Sequence, residues 1–181
     1  TLITLLMDKP FEQITVTELC ETSDTSRITF YTHYADKYEL VNDLFSDMAA
    51  TAEENYERLQ RENNPQRSVA VGWCNLLDCI LNLYYSHMAL FSKAAQAENP
   101  YLSFLFYQYV LRYVEKHIAD AGDALNLKYS AKKTTGFLCY GLWGFINAAH
   151  SEKESVELVK RQARELLMEL LRSNALTEVL L

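Results

Sequence analysis

Thr15-Val-Thr-Glu-Leu-Cys-Glu-Thr-Ser-Asp-Thr-Ser-Arg-Ile-Thr-Phe-Tyr-Thr-His-Tyr-Ala-Asp-Lys37 is the stretch that decides how the rest of the chain is read. Thr15 with Glu18 three residues on makes a capping-box pattern, and Ile14 and Leu19 on either side supply a hydrophobic staple. Thr22-Ser23-Asp24-Thr25 follow, polar side chains that bond to nearby backbone and oppose a continued helix. A second helix is predicted from about Ser26 to Tyr34, with Phe30 and Tyr34 four apart on its inward stripe. Asp36 with Glu39 then signals a further helix start. Two short helices across a tight turn suit insertion of the second into a DNA major groove.

The same residues resemble a known family. Ile14-Thr15-Val16-x-x-Leu19-Cys20, then Ser26-Arg27-x-Thr29-Phe30-Tyr31-x-His33-Tyr34-x-x-Lys37-x-x-Leu40, closely resembles the DNA-binding region of TetR-type bacterial transcriptional regulators. The match runs from about Leu2 to Phe45. It implies an all-α fold, with a three-helix helix-turn-helix DNA-binding domain at 1–45 and a larger helical ligand-binding and dimerisation domain at 46–181. In that reading Arg27 reaches guanine edges and Ile28 meets a thymine methyl. Thr29, Tyr31 and His33 bond phosphates, and Thr15, Thr17 and Lys37 sit at or near helix N-termini whose amides favour phosphate. By resemblance Thr25 and Ser26 complete the DNA-contacting surface. The plain alternative for Tyr31 and His33 is a solvated helix face. Two positions depart from the family: Asp24 stands where glycine is usual, and Ile28 where a small residue is. Aspartate tolerates the left-handed backbone better than most residues, so the turn is expected to survive, and Ile28 to alter operator preference.

Composition frames this reading. The chain has 181 residues, 49% of them hydrophobic, with five glycines and three prolines, which points to a helix-rich globular protein. Twelve tyrosines, eight phenylalanines and two tryptophans imply an aromatic core or cavity. Cys20, Cys74, Cys79 and Cys139 are scattered singly, without ligand spacing, and read as reduced buried thiols of a cytoplasmic protein. No export signal or spanning segment is evident, so no membrane partner is expected. Thr1 falls inside an apolar helical pattern, so residues are expected before it. The charge is awkward for a DNA binder: the net value is −7, and over residues 1–50 three basic side chains against nine acidic ones leave −6. The expectation is that affinity leans on dimerisation and on preceding basic residues.

Further along, a helix is predicted over Lys37 to about Asn63, ended by Asn63-Asn64-Pro65. A nearly all-apolar, central helix follows over Val69 to Tyr85, then a short segment over Met88 to Ala94. Pro100 to about Ala121 is an aromatic-rich helix with Gly122 as its cap. The last two helices are expected over about 128–150 and 152–173, with a Ser151/Glu154 capping box between them, and they are expected to form a homodimer. Gly136, Gly141 and Gly144 each cost helix stability, about 1 kcal/mol against alanine, so they imply close helix approach or room for a ligand. The resemblance implies an effector cavity, for which Trp73, Tyr84, Phe91, Tyr107, Phe137, Tyr140 and Trp143 are candidates. Asn82, His87, Gln108, His117 and Asn147 are its polar selectors, with ordinary core packing as the alternative. No motif calls for a metal, a cofactor or catalysis. The expected function is a DNA-binding regulator, most simply a repressor released by a small molecule. The rivals are a regulator-derived protein-interaction module and an all-helical ligand carrier.

Overall fold

The computed structural model describes residues 1–87, 100–121, 126–173 and 175–176. Among these the fold is all-α: α1 (Leu2–Asp8), a 3-10 turn (Phe11–Gln13), α2 (Val16–Thr22), α3 (Arg27–His33), α4 (Lys37–Asn63), α5 (Val69–Ser86), α6 (Pro100–Ala121), α7 (Ala131–Ser151) and α8 (Val156–Arg172).

Side-chain caps explain most of the starts. Thr15 Oγ1 accepts from the Glu18 amide (3.2 Å), Ser26 Oγ from that of Thr29 (3.0 Å), and Asp36 Oδ1 from those of Tyr38 and Glu39 (2.9 Å each). The first capping box is only half made, because the Glu18 carboxylate turns to Lys9 instead. Between α2 and α3, Asp24 takes the left-handed conformation (φ 52°) and the Thr25 amide donates to Cys20 O at 2.9 Å. The turn thus closes without a glycine, on a residue whose short polar side chain tolerates that region.

The last two helices start later than the sequence suggested. Ser130, not a residue near 128, caps α7, and α8 begins at Val156. The Ser151/Glu154 capping box does not form. Ser151 Oγ turns back to Ala148 O (2.7 Å), Lys153 bends left-handed (φ 59°), and Ser155 caps α8 through the Leu158 amide (3.3 Å). The segment at 88–94 and the Gly122 cap lie outside the described residues.

Helix α5 is the hub. It packs between α4 and α8, and α6 pairs with α7. Leu81 and Asn75 of α5 are completely buried, and a single hydrophobic cluster runs from Leu2 in α1 to Leu167 in α8. The boundary drawn at residues 45 and 46 falls inside α4. Near the start of α4, Phe11 stacks on Tyr101 of α6 (5.6 Å between centroids), and Tyr38 meets both rings edge-on at 5.2 Å. Among the described residues no helix is long and apolar enough to cross a membrane.

All four cysteines are buried, and none forms a disulfide. Burial raises the Cys139 thiol to about 12 and that of Cys79 to about 11. A raised pKa removes thiolate at ordinary pH, so iodoacetamide at pH 8 should label these two in the native protein at least about a hundredfold more slowly than in the urea-unfolded chain. Mass spectrometry of the labelled peptides checks this, and the native rate should climb with pH until unfolding intervenes.

Candidate nucleic-acid interface

Helix α3 offers an outward face. Of its seven residues only Phe30 is buried, held between the Tyr31 and Tyr34 rings at 5.4 and 5.6 Å. Arg27, Ile28, Thr29, Tyr31 and His33, all singled out in the sequence, lie exposed on this one short helix, with Ser26 as its cap. The Arg27 guanidinium sits 5.9 Å from the Tyr31 ring centroid, a cation–π contact that steadies it along the face. Ile28 is 83% exposed, an apolar side chain left open to solvent among the described residues. Ser26 and Thr29 share a hydroxyl–hydroxyl bond of 2.9 Å, and Thr25 Oγ1 donates to Ser23 O at 3.3 Å. Thr17 is exposed on α2, while Thr15 uses its hydroxyl as the cap.

Lys37, at the first residue of α4, has partners within its own N-terminal helices. Its ammonium donates to the carbonyls of Phe11 (2.9 Å), Glu12 (2.9 Å) and Ile14 (2.8 Å), and lies 4.7 Å from the Phe11 ring centroid. An ammonium has three donors and here all three are used. Lys37 is therefore a brace inside the N-terminal helices. Lys9 is likewise paired, with Glu18, whose carboxyl it holds below its ordinary range. Of the three basic side chains in residues 1–50, Arg27 alone has no carboxylate or carbonyl partner among the described residues. At the far end of α3, Tyr34 donates to Asp43 Oδ2 at 2.8 Å, and that carboxylate raises the phenol's pKa.

The described residues among the candidates for an effector cavity sit in different surroundings. Tyr84 and Trp143 pack edge-on at 6.1 Å with Phe106 6.2 Å from Trp143, an ordinary ring cluster of the core. Tyr107 is buried, but Phe137 and Tyr140 are 65% exposed on the outside of α7, with the Tyr140 ring 4.3 Å from that of Tyr107. His87 and Asn147 are half-buried, and His87 Nδ1 bonds Leu83 O at 3.0 Å. Phe91 lies outside the described residues. Trp73 and Phe137 do border an apolar groove of about 450 Å³ among α5, α6, α7 and α8. Asn82 instead ties α5 to α8 through Lys160 Nζ at 2.7 Å. The periodicity showed which residues share a helix face and not which face turns inward. A helix as apolar all round as α7 gives no sequence signal for that choice.

Substitution of Lys37 separates its two readings. Lys37→Met removes the ammonium's bonds to Glu12 O and Ile14 O at a half-buried site, leaves Phe11 O with the Ile14 amide at 3.1 Å, and should cost about 1–2 kcal/mol in urea unfolding. A phosphate contact would instead leave stability alone and lower the salt dependence of DNA binding by about one counterion.

No protein-family model matches this chain, and a search of curated proteins finds no match either.

Proposed function

We propose that the chain is a sequence-specific DNA-binding transcriptional regulator of the TetR type, with α2 and α3 as its helix-turn-helix and α3 as the recognition helix. The observation that carries this reading is the face of α3. On seven residues it sets one cation, one bare β-branched side chain and a row of hydroxyl and imidazole groups, all exposed and all on a helix anchored by Phe30 alone. Arginine is suited to guanine O6 and N7, and an isoleucine to a thymine methyl. Positioning then rests on hydroxyls and backbone amides at the starts of α2 and α3 more than on lysines.

A two-fold dimer through α7 and α8 completes the reading. Among the described residues, Gly136, Gly141 and Gly144 have nothing beyond their own helix's nearby backbone within 4 Å of where a Cβ would stand. Phe137 and Tyr140 share that side of α7, and Leu166 of α8 is 50% exposed. Glycines that meet no other helix among the described residues, beside exposed aromatics, fit a second copy closing on this surface. Two recognition helices would then lie about one DNA turn apart, roughly 34–36 Å. A small molecule that favours another spacing would release the DNA by population shift.

One observation favours a second reading. With Lys9 and Lys37 both engaged inside the acidic N-terminal helices, Arg27 is left as their single outward cation. A protein-interaction module derived from a regulator would have this character.

Arg27→Ala distinguishes the two. The DNA reading expects a specific, salt-sensitive gel shift on sequence flanking the chain's own gene, weakened by about 1–3 kcal/mol per half-site in the variant. No specific shift by the unsubstituted chain would favour the interaction module. Gly144→Leu tests the dimer. It should leave the isolated fold intact, since the site is open and leucine favours helix by about 1 kcal/mol over glycine, yet raise the dimer dissociation constant at least about tenfold in sedimentation equilibrium.

A further inference from the structure

Where α4 ends and α5 begins, a half-open cleft of about 670 Å³ lies against the last turns of α6. That falls within the size range of small-molecule sites, about 300–1,000 Å³. Its floor is aromatic and apolar: Trp73, Leu76 and Ile118 line it, and Tyr56 meets the His117 ring edge-on at 4.4 Å. Gly72 permits the close wall, since a Cβ there would stand 3.3 Å from Gln60 Nε2.

The corner is rigid. Asn64, only 5% exposed, donates to Gln60 Oε1 (2.7 Å) and Ser68 O (3.0 Å) and accepts from the Ser68 amide (2.7 Å). One side chain therefore staples the end of α4 to the start of α5.

The rim is cationic, in a chain whose net charge is −7. Arg61 and Arg67 both border the cleft, against Asp120 as the sole carboxylate among its described lining residues. Arg61 has a solvent-exposed partner, Glu57, at 3.6 Å, and Arg67 has no ion pair among the described residues. The cap of α5, Ser68, makes no side-chain bond to the helix, so the positive end of that helix faces the same wall.

We propose that this cleft binds a small organic anion with a planar apolar body, its carboxylate on Arg67 and Arg61 and its body against Trp73 and the Tyr56–His117 pair. The guanidinium fork matches a carboxylate, and the floor rewards a flat apolar group. A bare inorganic anion leaves the floor unused, and a neutral aromatic leaves the rim unused. The proposal stands independently of the DNA-binding reading and is tested without DNA.

Benzoate and its neutral analogue benzamide are the probes. In a Trp143→Phe background Trp73 is the only tryptophan, since the chain has two. Benzoate should change its emission saturably, and benzamide should bind at least about tenfold more weakly, as loss of a charged hydrogen bond implies. Arg67→Asn should weaken benzoate by a similar factor. Asparagine is chosen because residue 67 holds φ 53°, a conformation it tolerates. Arg61→Gln, within helix α4, is the second variant, and calorimetry on the unsubstituted chain repeats the ligand comparison with no risk to folding. Absence of a saturable benzoate response overturns the proposal. So does a response equal for benzamide, or one unchanged by both arginine variants.

Discussion

The ammonium of Lys37 in its cage of three carbonyls is the contact on which the N-terminal helices depend. Where the 3-10 turn ends, the carbonyls of Phe11, Glu12 and Ile14 converge on the Lys37 ammonium, and Phe11 O also accepts from the Ile14 amide at 3.1 Å. One cation at the first residue of α4 answers all three, with the Phe11 and Tyr38 rings beside it at 4.7 and 5.6 Å. This fixes the connection between α1 and α2 onto α4. Because Phe11 also stacks on Tyr101, the same point joins the N-terminal helices to α6. The end of α3 is tied to the 27-residue α4 by the bond from Tyr34 to Asp43.

The brace has an electrostatic consequence. A cation held by carbonyls is removed from the outer surface, and Lys9 is removed in the same way by Glu18. What faces outward from α3 is a single guanidinium steadied by Tyr31, an exposed isoleucine and several hydroxyls. Such a surface is poor at non-specific attraction to a polyanion and better suited to contacts that depend on base identity. The acidic balance and the outward face of α3 are thus two sides of one arrangement.

Much of this was legible in the sequence where a local signal existed. Helix α4 has the limits expected, Lys37 and Asn63, because Asp36 caps one end and the Asn63-Asn64-Pro65 run stops the other. Asp24 could be placed at a left-handed turn because its chemistry allows that backbone. The start of α8 was misplaced because the Ser151/Glu154 spacing reads as a capping box, whereas Lys153 bends left-handed and Ser155 caps the helix. The role of Lys37 spans 23 to 26 residues of sequence, beyond any local rule. The cleft was missed for the same reason. Asn64 read as a helix terminator, and only the folded chain reveals that its buried amide joins two helices and sets Arg67 beside Trp73.

The central claim is that paired copies of α3 read DNA sequence, and selection from a random-sequence duplex library with the purified chain tests it most directly. The account predicts enrichment of an inverted repeat whose half-site centres lie about 10 base pairs apart, or a whole number of helical turns. Recovery of no enriched motif, or of one without two-fold symmetry, would contradict it.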